Sequence, residues 1–183
     1  KKDQIDIYFA RANILHKEKN YKESAQYLQL ANKLKLMRNP SKADILINNS
    51  KVLLIECDKQ EFIQQEYIHP PESIFIIGML RSGSTLLESI LSMNNSVNDL
   101  GEINILEEAY LDNKNNDQGL TLAEGYWKKI KDLKKISNKT TNKNLYNYLY
   151  AGIIAKTIPN AKIIHCYRNP LDNILSIFRA HFA

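Results

Sequence analysis

Residues 74–91 read IFIIGMLRSGSTLLESIL. The first four are a continuous apolar run, the pattern of a short strand buried on both faces. A glycine-framed turn follows, and the last eight residues place apolar side chains at helical spacing. Residues 78–85, GMLRSGST, nearly spell the phosphate-binding loop G-x-x-x-x-G-K-[ST], but Ser84 stands where the lysine belongs and Arg81 sits inside the loop. Strand, glycine loop and helix in that order gather free backbone N–H groups and the positive end of a helix dipole at one point. That is a cradle for an anion. Gly83 permits close approach of the backbone to the ligand, and Ser84 and Thr85 add hydroxyl donors.

The rest of the chain, read outward from this stretch, supports an α/β fold. The strand over residues 73–77 and the helix over 84–93 are followed by an expected strand at 97–100 and helix at 103–111. An Asn-rich loop at 112–118 precedes a basic amphipathic helix from 121 to 136. Residues 146–157 read as helix, 161–167 as the clearest strand after the first, and Pro170 opens a last helix. Alternating strands and helices imply a parallel sheet covered by helices on both faces. Its ligands belong beyond the carboxyl ends of the strands.

Ahead of this region the pattern is all-helical. Residues 7–15 and 20–34 read as two amphipathic helices, with Ala25 and Ala31 small enough to admit a neighbour, and a third helix covers about 41–57. The hairpin resembles a tetratricopeptide repeat, on Ala10, Tyr21, Ala25, Tyr27, Ala31 and Pro40. A plain helical hairpin is the other reading. His69-Pro70-Pro71 cannot continue a helix and marks the expected boundary, between a helical module (1–69) and an α/β domain (70–183).

Composition narrows the function without naming it. The 183 residues carry a formal net charge of +5 with scattered lysines, which suits a small anionic ligand and gives no reason to expect nucleic acid. Cys57 and Cys166 are far apart, lack CxxC context, and read as buried reduced thiols. No ligand-spaced cluster suggests a metal. No apolar run is long enough to span a bilayer and no signal peptide opens the sequence; these leave the compartment open, with the cytoplasm favoured. The sequence begins at Lys1, without a methionine.

The missing lysine selects among phosphate ligands. In nucleotide triphosphatases it reaches the β- and γ-phosphates, and without it γ-phosphoryl transfer loses its main charge clamp. Arg81 lies earlier in the loop and projects towards another part of a ligand. A ligand with one phosphate in the cradle and its reacting group beside Arg81 fits better. Residues 74–88 accordingly resemble the 5′-phosphosulfate loop of sulfotransferases that use 3′-phosphoadenosine 5′-phosphosulfate (PAPS), nearest in pattern to tetratricopeptide-linked and tyrosylprotein sulfotransferases. Their usual P-R-S-G-[ST]-T has Leu80 here in place of proline. A second stretch, residues 163–176 (IIHCYRNPLDNILS), resembles the family's 3′-phosphate site: a strand ending in Arg, then [ND]-P-x-D, then a serine on the next helix.

The resemblance implies roles. Ser82, Gly83, Ser84 and Thr85, with Arg81, would hold the 5′-phosphate. Arg168 and Ser176 would hold the 3′-phosphate, leaving Asp172 as a helix cap. Glu102, in a G-E pair after the second strand, would be the general base on an acceptor hydroxyl, although a glutamate at a helix start is equally expected from its position alone. Lys143 matches the lysine of D-K-x-P-x-N, with Asn142 and Leu145 departing from it and Asn147 matching. It would hold the sulfuryl or bridging oxygen, where the residues alone suggest a solvated lysine in a loop. No metal is implied. The family's domains normally continue past the helix bearing Ser176, so the resemblance reads this chain as the N-terminal part of one, short of a complete pocket. The acceptor could be a protein tyrosine, a glycan or a small hydroxyl compound, and the helical module could bind a protein partner. A binding module fused to an inactive sulfotransferase-like domain, or a P-loop kinase or NTPase, are the alternatives.

The remaining candidates read as structural. His165 lies within an apolar strand and is expected in the core. Tyr146, Tyr148 and Tyr150 are expected to pack with polar tips, and Lys128 to Lys135 reads as a solvated basic face.

Overall fold

The computed structural model describes residues 2–62, 67–115, 119–133 and 138–181. In chain order its elements are α1 (Lys2–Lys17), α2 (Tyr21–Arg38), α3 (Ala43–Lys59), β1 (Glu72–Gly78), α4 (Ser84–Leu91), β2 (Val97–Asp99), α5 (Ile105–Lys114), α6 (Leu122–Asp132), β3 (Lys139–Asn142), a 3₁₀ helix (Leu145–Tyr150), α7 (Ala151–Thr157), β4 (Ala161–Cys166) and α8 (Pro170–Arg179). They form two compact units, residues 1–48 with 169–183, and residues 49–168. No helix among the described residues is long and apolar enough to cross a membrane.

In the first unit α1 and α2 form the expected hairpin. Ile5, Phe9 and Ala12 of α1 pack on Leu28 and Ala31 of α2. Asn20 caps α2: its side chain accepts from the Glu23 N–H and donates to the Glu23 carboxylate. Ala25, expected at the close approach, faces solvent. Ser24 takes that place, fully buried, and donates its hydroxyl to the Ala12 carbonyl at 2.8 Å. The cap of α8 is Asn169, which accepts from the N–H groups of Leu171 and Asp172, with Pro170 in the first turn. Asp172, read from sequence as the cap, instead sits in that first turn.

The second unit is built on a four-stranded sheet, all pairs parallel, in the order β2-β3-β1-β4. The strands expected at 73–77, 97–100 and 161–167 are present. β3 was not expected, because KTTN has no apolar residue to announce it. It nevertheless lies between β1 and β2, with Thr140, Thr141 and Asn142 all buried. β-branched threonine suits a buried strand when its hydroxyl finds a partner.

Phe75 of β1 packs against Tyr126 of α6, and Leu106, Ala109, Ala123, Ile153 and Ile154 complete a core around it. α6 starts with a capping box between Thr121 and Glu124. It is described only as far as Asp132, and residues 134–136 of the expected helix lie outside the described residues, as do 116–118 of the Asn-rich loop. Lys129, on the face read as solvated, pairs with Asp112 at 2.9 Å and Glu108 at 3.6 Å. Lys156 donates to the carbonyls of Cys57 and Gln60, closing the C-terminal end of α3.

Two side-chain expectations are corrected. His165 is exposed: it shares a face of β4 with Ala161 and Ile163, which pack against the core, but it lies near the carboxyl end of an edge strand, where the core no longer covers it. Of the three tyrosines only Tyr150 is buried, and Tyr146 and Tyr148 are about half exposed, because the segment begins as a 3₁₀ helix with threefold spacing. Both cysteines are half-buried free thiols, and burial raises the pKa of Cys166.

Candidate functional site

Because all four strands are parallel, their carboxyl ends share one edge of the sheet. β1 sends residues 78–85 from that edge and β4 sends Arg168. β2 sends Gly101 and Glu102, and β3 sends Lys143. The chain turns from β1 towards β2 and β3 on one side and reaches β4 on the other. The gap between β1 and β4 is therefore a topological switch point, where open α/β sheets bind ligands.

At that gap Arg81, Ser82, Gly83, Ser84, Thr85, Leu86 and Arg168 line a cavity of about 450 Å³. The loop's backbone is specialised for the position. Gly78 has φ +141°, and Gly83 has φ +96° as the N-cap of α4, leaving the first N–H groups of that helix without helical partners. Arg81 takes a left-handed φ of +67°, costly for a residue with a side chain. Its carbonyl accepts from Arg168 Nη1 at 3.2 Å. The Ser82 hydroxyl is buried and has no hydrogen-bond partner in the structure. An orphaned buried donor costs free energy and would be satisfied by an anion oxygen.

Two strands away, Lys143 Nζ pairs with Glu102 Oε1 at 2.5 Å. Lys143, which the residues alone would place in solvent, follows β3 directly, and only 6% of its side chain is exposed, against 64% for Glu102. The backbone sets the pair: Leu100 N–H donates to the Thr141 carbonyl and Lys143 N–H to the Gly101 carbonyl, both at 2.9 Å. Ser176, assigned with Arg168 from sequence, lies half-buried on α8, in the other compact unit.

Sequence reasoning missed the support behind Lys143. Asn142 is almost fully buried, and its Oδ1 accepts from the Asn144 N–H and from Asn147 Nδ2, each at 3.0 Å, while its Nδ2 donates to the Tyr126 hydroxyl at 3.5 Å. Burial pushes the Tyr126 hydroxyl well above the usual phenol range, with the Asn142 bond opposing the shift. Asn144 Nδ2 reaches the Ile103 carbonyl and Asn104. Glu88 was also missed. It is buried on α4, and its Oε1 accepts from the Thr141 hydroxyl at 3.0 Å. Its only signal was its spacing, one helical turn after Ser84 on the same buried face.

A smaller cavity of about 160 Å³, against α5 and α6, is lined by Asp112, Lys128, Lys129 and Asp132 among others and contains none of these residues.

Comparison with known proteins bears on the same region. A family model described as "Sulfotransferase family" matches residues 71–183. An uncharacterized protein of Aquifex aeolicus (strain VF5) is 32% identical over 136 residues, a match that covers 63% of this chain and 18% of that protein's length. No solved structure matches.

Proposed function

Since the chain belongs to the sulfotransferase family, we propose that the sheet-edge cavity takes PAPS and that the protein transfers its sulfuryl group to an acceptor hydroxyl. The observation that carries this reading is the delivery of two anion-binding elements, the 78–85 loop and Arg168, into one cavity from neighbouring strands. Two phosphates at opposite ends of one nucleotide need two such elements.

The residues divide the work by chemistry. The N–H groups at the start of α4, with the hydroxyls of Ser82, Ser84 and Thr85, hold the 5′-phosphate. Arg168 forms charge-assisted bonds to the 3′-phosphate. Arg81 and Lys143 place positive charge on the sulfuryl and bridging oxygens, where negative charge develops as the S–O bond to the 5′-phosphate breaks. Glu102 takes the proton of the acceptor hydroxyl as its oxygen bonds to sulfur. The leaving group is adenosine 3′,5′-bisphosphate (PAP). Lys143 and Glu102 neutralise each other as a pair, so substrate entry must divide them, Lys143 turning to the donor and Glu102 to the acceptor. The helical hairpin of α1 and α2 supports a protein as acceptor or partner.

Calorimetric titration with PAP, ATP and GTP tests the reading. PAP is expected to bind more tightly than either triphosphate. Equal or tighter binding of ATP or GTP would overturn it in favour of a nucleotide triphosphatase.

A further inference from the structure

Glu88 is a carboxylate in a nearly dry position, with 6% relative exposure. Removing a carboxylate from water costs several kcal/mol unless its partners compensate. An apolar side chain would fill the same space on α4 without that cost. What Glu88 supplies, and an apolar residue does not, is a directional bond, its Oε1 accepting from the Thr141 hydroxyl at 3.0 Å. Thr141 has no exposed surface.

The elements joined by this bond are the two that would contact the 5′-phosphate. α4 begins at the anion loop, and Glu88 lies one turn into it. β3 ends one residue after Thr141, and Lys143 follows directly. The Thr141 carbonyl also accepts from Leu100 N–H, in the segment leading to Glu102. A continuous path therefore runs from the loop helix, through the buried carboxylate, to the strand end that positions Lys143 and Glu102.

We infer that Glu88 is a positioning residue: through Thr141 it fixes the phosphate-binding end of α4 relative to Lys143, so that both address the same phosphate. The inference rests on the proposed PAPS site. Its test is the double variant Glu88→Leu/Thr141→Val. Replacing both members of a buried polar pair by apolar groups of similar shape is close to neutral for stability, or stabilising. The double variant should therefore melt at or above the wild-type temperature yet bind PAP roughly tenfold more weakly by calorimetry, since a bond to a charged group is lost. Glu88→Gln, which keeps an oxygen acceptor for Thr141, should retain affinity within about threefold of wild type. A folded double variant that binds PAP as tightly as wild type would overturn the positioning role while leaving the PAPS reading intact. Should the double variant fail to fold, a Glu88→Gln variant that folds but binds PAP as weakly as Glu88→Ala would overturn it instead. Failure of the wild-type chain to bind PAP would overturn the PAPS reading, and this inference with it.

Discussion

Replacing Gly78 by alanine separates the backbone requirement of the loop from its side-chain chemistry. Gly78 ends β1 directly opposite Cys166 at the end of β4. A Cβ built there would lie 2.4 Å from the Cys166 carbonyl oxygen, where ordinary contact begins at 3.4 Å, so something must yield by the difference of 1.0 Å. The obstacle is backbone, which yields only if the strands part. The φ of +141° adds strain of about 1–3 kcal/mol, and overpacking adds about 1–3 kcal/mol. The expected loss is about 2–6 kcal/mol, a large share of the roughly 5–15 kcal/mol of a typical domain. Displacing β4 also displaces Arg168, two residues on, so PAP affinity should fall with stability. Gly83→Ala is the control. Its φ is +96°, but nothing lies within 4 Å of its added Cβ, so only the strain term applies. Urea melts followed by circular dichroism, with calorimetric PAP titration of each folded variant, would measure both effects. If Gly78→Ala lost less than about 1 kcal/mol, or no more than Gly83→Ala, the close approach of β1 and β4 would be refuted.

Three further outcomes are expected. Arg168→Ala should weaken PAP binding by roughly 10- to 100-fold, as expected for lost charge-assisted bonds. It should change adenosine 5′-phosphate binding far less, and equal losses in calorimetry would contradict its assignment to the 3′-phosphate. Lys156→Met should lower stability by about 1–2 kcal/mol in urea melts, because the carbonyls of Cys57 and Gln60 lose their common donor. An unchanged midpoint would refute that capping role. Burial raises the Cys166 pKa, so the folded state favours the neutral thiol. Its stabilising contribution is complete below the unfolded thiol pKa of about 8.5 and is lost as pH rises through the folded value. Iodoacetamide should therefore label Cys166 more slowly at pH 8.5 than after unfolding in urea, and equal rates would contradict the shift.

The elements legible in the sequence were those that announce themselves by apolar pattern. β1 and the core of β4 carry unbroken apolar runs, and the glycines of the loop mark a turn that needs positive φ. β3 was illegible because its burial is satisfied by hydroxyl and amide hydrogen bonds, which leave no mark on a hydropathy pattern. Only the family resemblance therefore gave Lys143 a role, where the residues alone suggested a solvated lysine; the strand before it brings it into the protein beside Glu102. His165 failed in the opposite direction: its apolar neighbours suggested the core, but it lies near the carboxyl end of the sheet's edge strand and is exposed. Glu88 gave no sign of its burial, since no sequence pattern distinguishes a solvated glutamate from one that a buried threonine awaits on another strand. Local pattern reports which residues repel water. It is silent on polar pairs made across the fold.

The departures from the family's motifs look different once their contacts are known. The acid usual before the lysine is Asn142 here, and a lost charge would matter if the position worked by charge. Its Oδ1 works instead as an acceptor for the Asn144 N–H and Asn147 Nδ2, a task that an amide oxygen performs as a carboxylate oxygen does. The amide's own donor reaches Tyr126, where a carboxylate would instead accept from the phenol, so either residue closes the network. Against an inactive relic stands the cost of what the sheet edge retains. Arg81 holds a left-handed backbone, Lys143 and Glu88 are buried charges, and the Ser82 hydroxyl has no partner. Each of these carries a cost in stability. All four lie on the loop, on the helix that starts from it, or immediately after the strand Glu88 bonds to. An anionic ligand at the loop would give the Ser82 hydroxyl an acceptor, and the left-handed backbone at Arg81 and Gly83 is strain held in the loop that would receive it; these two features are the physical argument for a working site.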